Sequence, residues 1–218
     1  MKKYICFSLS ILIVLTGSHA QSGRIGFTSG TTISNYQVKM EGASESQKSK
    51  TGITAGIVAD LPLSNHFSIR PAVHFLQKGT MNKQSDYGMS YKMTLNANMV
   101  EFPVEFMYNV NSPAGNFFIG AGPALGIGIS GKLKVKADSQ ASTESVGFGN
   151  GQSDLLRMAD FGISASTGFC FPNGLLLAAG FNQGLSNVEP QPEAGESLKS
   201  HYFSIRLGWM FKNSKQVR

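Results

Sequence analysis

The chain has 218 residues and a net charge of +6, from 19 Lys and Arg against 13 Asp and Glu, and only 15% of it is charged. That length fits one domain, and the charge density is low for a soluble surface. The lysines are scattered without interleaved aromatics, which excludes a nucleic-acid binder.

Lys2 and Lys3 open the chain, residues 5–15 are almost continuously apolar, and small residues stand at Ser18 and Ala20. This order predicts a signal peptide over residues 1–20, cleaved before Gln21. The apolar run is too short for a retained spanning helix, and nothing after residue 20 is long and apolar enough for one. Cys6 lies inside the leader, so the mature chain (21–218, one barrel domain) keeps Cys170 alone and forms no intramolecular disulfide.

Eight segments then alternate apolar and polar residues, the period of a strand. The first covers residues 24–33, with Ile25, Phe27 and Ile33 on one face. The second, 51–61, sets Ile53, Ile57 and Leu61 against Thr54, Val58 and Asp60. The third, 66–78, sets Phe67, Ile69, Val73 and Phe75 against Ser68, Arg70 and His74. The fourth, 91–110, changes phase: Met93, Leu95, Ala97 and Met99 are followed by Val100, Phe102, Val104 and Phe106. A β-bulge near Met99–Val100 would make that shift. The fifth, 116–130, and sixth, 158–171, set Phe, Ile and Leu against Gly, Ser and Ala. The seventh, 174–184, and eighth, 202–211, repeat the pattern, with Phe203, Ile205, Leu207 and Trp209 opposite Ser204, Arg206 and Gly208.

Segments of about ten residues, tilted, cross the roughly 25 Å apolar band of an outer-membrane barrel. The second face decides which way round the barrel is. It is small rather than charged, as the crowded interior of an eight-stranded barrel requires. Arg70, Glu101, Glu105 and Arg206 then point inward, because an Arg facing lipid at mid-depth costs about 2–4 kcal/mol. Inside, unlike charges must pair, which predicts a structural Arg–Glu network between the fourth strand and its neighbours. Arg24 faces the same way as Arg206.

Short gaps at 62–65, 111–115 and 172–173 carry Pro, Asn and Gly, the chemistry of tight turns. Long gaps fall at 34–49, 79–90, 131–157 and 185–200, the third being the largest and read as a mobile loop. Short turns in the periplasm and long loops outside are the outer-membrane pattern, and an even strand count puts both termini in the periplasm. Lysines such as Lys48, Lys50, Lys132, Lys134 and Lys136 fall mostly in the gaps and read as solvated groups near lipid headgroups.

No motif carries reaction chemistry. The glycines from Gly120 to Gly126 sit inside a strand with the wrong spacing for a dinucleotide loop. Gly162-Ile163-Ser164-Ala165-Ser166 departs from a nucleophile elbow at its last position. His66, His74 and His201 lack a second ligand at metal spacing. Asp86, Asp138, Asp154 and Asp160 form no set, and Cys170 reads as an inward packing residue. No catalytic, metal or cofactor residues are therefore assigned.

Four segments in order resemble the PorT-type outer-membrane β-barrel family of Gram-negative bacteria. They are Phe67-Ser68-Ile69-Arg70-Pro71 running on to Gln77-Lys78-Gly79, Val100-Glu101-Phe102-Pro103-Val104-Glu105-Phe106, Phe118-Ile119-Gly120-Ala121-Gly122-Pro123, and Gly184-Leu185-Ser186-Asn187. The resemblance implies an eight-stranded outer-membrane barrel and little about activity. One departure is that Phe211 is followed by residues 212–218, so the chain does not end on an aromatic.

The expectation is an all-β, eight-stranded, antiparallel up-and-down transmembrane β-barrel in the outer membrane. It is non-enzymatic, structural or binding through its extracellular loops, in contact with outer-membrane lipid and with a possible extracellular or envelope protein partner. The alternatives are a narrow pore and a soluble lipocalin-like binder of an apolar ligand.

Overall fold

The alternating segments pair into one closed antiparallel sheet in the computed structural model, which describes residues 23–40, 43–46, 48–86, 89–137, 140–151, 154–192 and 196–211. The predicted leader over 1–20 and the tail at 212–218 lie outside the described residues. The strands are β1 (Arg24–Met40), β2 (Ala43–Ser46), β3 (Lys48–Pro62), β4 (Phe67–Asp86), β5 (Met89–Ser112), β6 (Gly115–Ala137), β7 (Gln140–Val146), β8 (Ala159–Cys170), β9 (Leu175–Gly184) and β10 (Ser197–Met210). Eight of them form the ring β1-β3-β4-β5-β6-β8-β9-β10, each beside its neighbour in the chain. Pairing of β10 with β1, from Gly26–Met210 to Lys39–Ser197, closes it. Closure leaves no open edge among the eight ring strands, the condition for crossing lipid with strands.

β2 and β7 are not extra staves. β2 folds back on the end of β1, and β7 pairs with β6 from Gly131 to Ala137, above the stretch where β6 pairs with β8. The gaps predicted at 34–49, 79–90 and 131–157 are therefore largely strand: β1 runs to Met40, β4 to Asp86 and β6 to Ala137. The largest gap, read as a mobile loop, becomes a hairpin followed by an irregular segment in which Phe148 bridges Leu156. In the fourth gap, 185–200, the described residues 185–192 and Glu196 lie outside strand and β10 begins at Ser197. The walls rise past the point where the outward face must be greasy, so pairing continues while the outward apolar face that marks a membrane strand stops.

The opposite rim is made of tight connections: residues 63–66, Pro113 with Ala114, and 171–174. Gly115 and Gly174 take positive φ there, and the Gly174 amide donates to the Phe171 carbonyl at 2.9 Å. Arg24 and Met210 share this rim with the turns.

The apolar face looks outward. Ile205 is 71% exposed, and Phe27, Ile57, Phe106, Phe161, Phe203 and Leu207 are all exposed. A soluble lipocalin-like barrel would enclose these side chains. Inside, one apolar cluster of Val58, Met107, Phe118, Cys170, Leu176, Ala178 and Met210 fills the short-turn end. A second, of Tyr36, Ala97, Val146, Leu156 and Val188, with Leu95, Leu133, Phe148 and Leu198 against it, caps the far end.

That upper cap corrects the phase slip expected at Met99–Val100. Ala97, Met99, Glu101, Pro103 and Glu105 all stay on the inner face of β5 without a break. Leu95 and Ala97 belong to the interior cap, and Met99 packs inside with Leu76 and Tyr202, so none of the three is on the lipid face. The bulge lies across the ladder in β6: Asn98 pairs with Ser130 and Met99 with Gly128, leaving Ile129 unpaired. Both Ile129 and Ser130 then face out, and the inward parity of β6 changes from even to odd.

Candidate functional site

Between the two apolar clusters the lumen holds a column of charge. Inward parity on β3, β4, β5, β8 and β10 buries Asp60, Arg70, His74, Lys78, Glu101, Glu105 and Asp160 and half-buries Arg206. At the short-turn end, Asp60 Oδ2 lies 3.0 Å from Arg24 Nη2 and 3.3 Å from Arg70 Nη2. The Arg70 guanidinium also sits over the Phe118 ring, 4.1 Å from its centroid.

Glu105 is held by β8. Ser164 and Ser166 donate to its two carboxylate oxygens at 2.6 and 2.5 Å. These serines are two apart on one strand, so both hydroxyls reach the same face. Arg206 Nη1 lies 3.3 Å from both ring nitrogens of His74, and His74 Nε2 is 3.4 Å from Thr28 Oγ1. Toward the far end, Lys78 Nζ contacts Asp160 Oδ2 at 3.1 Å, Glu101 Oε2 at 3.8 Å and Ser200 Oγ at 3.2 Å. Ser200 donates to Asp160 at 2.6 Å, Ser186 donates to its other oxygen at 3.1 Å, and the Tyr202 hydroxyl donates to Glu101 at 2.5 Å.

All four of the sequence-predicted interior residues face the lumen, but with other partners than an Arg–Glu network. Arg70 and Glu105 stand opposite each other on β4 and β5, yet Arg70 turns to Asp60 and Glu105 to the β8 serines. Glu101 goes to Lys78 and Tyr202, and Arg206 to His74. Sequence reasoning left Lys78, Asp160 and Tyr202 out of the set. The signal was present: Lys78 shares parity with Arg70 and His74, and Asp160 shares it with Ser164 and Ser166.

The space among Arg70, His74, Glu105 and Arg206 is a cavity of about 20 Å³, room for about one water. Among the described residues no group of three His, Cys, Asp or Glu comes together as metal ligands.

A known family, described as outer membrane protein beta-barrel domain, matches residues 19–189. The chain belongs to that family. No curated protein sequence matches it. Among solved structures it is similar to the outer membrane protein OprG from Pseudomonas aeruginosa, at 10% identity and a TM-score of 0.50, over 88% of this chain and 97% of that one. It is also similar to Ail, the attachment invasion locus protein of Yersinia pestis, at 13% identity, TM-score 0.43, over 87% and 99%. Neisserial surface protein A matches at 12% identity, TM-score 0.38, over 85% and 97%. Membership makes the outward apolar wall of this outer-membrane barrel the surface that meets lipid, and explains why every charged group at mid-height has turned inward.

Proposed function

We propose that this outer-membrane barrel is a non-enzymatic anchor whose tall rim, opposite the chain ends, binds a partner outside the cell. It is exported behind a cleaved leader over residues 1–20 and leaves both termini in the periplasm. The observation that supports this reading is the packed lumen. Among the described residues, two apolar clusters flank a bonded charge column, and the space between Arg70, His74, Glu105 and Arg206 has room for about one water, too little for a solute or a substrate at that level. Ser164 and Ser166 donate to a carboxylate, and His74 bonds to Thr28 and Arg206 instead of to them, so neither serine is set up as a nucleophile. The four ordered motifs support a PorT-type barrel.

The test is threefold. Membrane fractionation with heat-modifiable migration on a detergent gel reports the barrel, intact mass reports cleavage before Gln21, and planar-bilayer recording reports the lumen. A silent bilayer with a heat-modifiable membrane protein is expected. Discrete conductance steps would replace the anchor with a pore.

A further inference from the structure

One part of the outer wall breaks the rule that charge turns inward. On β4, β5 and β6 the apolar wall ends at Phe75, Val100 and Ile129. Immediately above it an external side-chain ladder crosses the strands: Gln77 Nε2 donates to Asn98 Oδ1 at 3.1 Å, and Asn98 Nδ2 donates to Ser130 Oγ at 3.0 Å. This ladder marks the level at which the wall leaves hydrocarbon. The next outward positions on β6 are Lys132, Lys134 and Lys136, all exposed, and at two-residue spacing they span about 13 Å of wall.

The bulge at Ile129 puts these lysines there. Without the extra residue, Leu133 and Val135 would face out and the lysines would enter the apolar cap. Their cross-strand partners are Asn96, Thr94 and Lys92 on β5 and Ser145, Thr143 and Ala141 on β7, none of them acidic. Lys92 stands directly opposite Lys136. Like charges directly opposite are destabilising. The aliphatic stem of Lys50 lies across Gly79, where a Cβ would come within 2.7 Å of it, and Lys50 feels the charge of Lys134. Glu144 pairs with Leu133 and so belongs to the other face of the sheet.

A row of lysines without acidic cross-strand partners, at headgroup height on the outside of the cylinder, is complementary to phosphate carried by a membrane lipid. We infer that the outward wall of β5 and β6 binds the phosphate groups of the outer-leaflet glycolipid through Lys132, Lys134 and Lys136, with Lys92 and Lys50 flanking them. The level of the patch is a property of the fold; its assignment to the outer leaflet rests on the orientation proposed above.

The experiment uses the full mature chain in a zwitterionic detergent and counts bound lipid by native mass spectrometry. The probe is purified phosphorylated lipid A, with dephosphorylated lipid A and inorganic polyphosphate as parallel arms. The wild type is expected to retain phosphorylated lipid A at least tenfold more than K132Q/K134Q/K136Q, to lose the difference with dephosphorylated lipid A, and to weaken as salt rises. The triple variant keeps its heat-modifiable migration, because these side chains touch no core. Equal retention by both proteins would overturn the inference. So would a lysine-dependent affinity for polyphosphate that exceeds that for lipid A, which marks a soluble polyanion site. Orientation is read separately: Ser142→Cys in a Cys170→Ser background is expected to take an impermeant maleimide on intact cells. Labelling only after lysis would overturn the outer-leaflet assignment whatever the lipid count shows.

Discussion

Lys78 on β4 and Asp160 on β8 meet inside the barrel, Nζ to Oδ2 3.1 Å, although 82 residues separate them in the chain. Glu101 on β5 and Ser200 on β10 converge on the same ammonium. One cation thus ties together four staves from different parts of the ring. Lys78 is 2% exposed, so its charge survives only because these groups replace water.

Removing that cation should be costly. Lys78→Met leaves Asp160 and Glu101 without a counter-charge, and the loss expected for breaking a buried pair is about 3–5 kcal/mol. Urea unfolding in lipid vesicles, followed by the fluorescence of Trp209, the chain's one tryptophan, measures it. Lys78→Met with Asp160→Asn should recover part of the loss. A double variant as unstable as the single one would show that the pair is not coupled.

The serine clamp on Glu105 makes a second prediction. Hydrogen bonds to a charged group are worth about 1.5–3 kcal/mol each, so Ser164→Ala or Ser166→Ala alone should destabilise by that order. Because both serve one carboxylate, the double variant should depart from the sum of the singles. A double-mutant cycle in the same unfolding assay reads the coupling, and simple additivity would contradict a shared acceptor.

Depth dependence tests the lipid face directly. Leu207→Arg, on the exposed side of β10 within the apolar wall, should cost about 2–4 kcal/mol in vesicles, and His201→Arg, above that wall, about 0–1 kcal/mol. Equal effects at the two depths would mean that no hydrocarbon surrounds the wall.

Two glycines on β6 should respond differently to the same methyl group. A Cβ at Gly122 would meet the Val104 carbonyl oxygen at 1.9 Å, which is backbone and fixed by the β5–β6 ladder. A Cβ at Gly126 first meets Met99 Cε at 3.1 Å, the end of a flexible side chain. Gly122→Ala is expected to lose about 1–3 kcal/mol or fail to fold, and Gly126→Ala to refold with near-normal yield by heat-modifiable migration.

The eight ring strands were legible because each had to cross an apolar band with one face greasy and the other small. The tall rim was not. From Lys132 to Ala137 the alternation goes on, but its apolar side, Leu133 and Val135, turns inward while lysines face out, so the stretch lacks the outward apolar wall of a membrane strand and its composition resembles loop. The bulge was legible as a broken rhythm but was assigned to the wrong strand. Leu95, Ala97 and Met99 look like a displaced lipid face when only their own strand is considered. In the barrel they point inward, Leu95 and Ala97 into the cap that Leu156 completes and Met99 against Leu76 and Tyr202.

Alternation along single strands, a local property of the pleat, determined the barrel class, its inside-out polarity and the inward direction of Arg70, Glu101, Glu105 and Arg206. Which charges touch was decided only when the ring closed. Closure brings strands distant in sequence within a few ångströms across a narrow lumen, and a side chain there takes whichever partner best replaces its lost water. For Arg70 that partner was Asp60, and for Glu105 a pair of serines on β8, even though Arg70 and Glu105 face each other in the ladder.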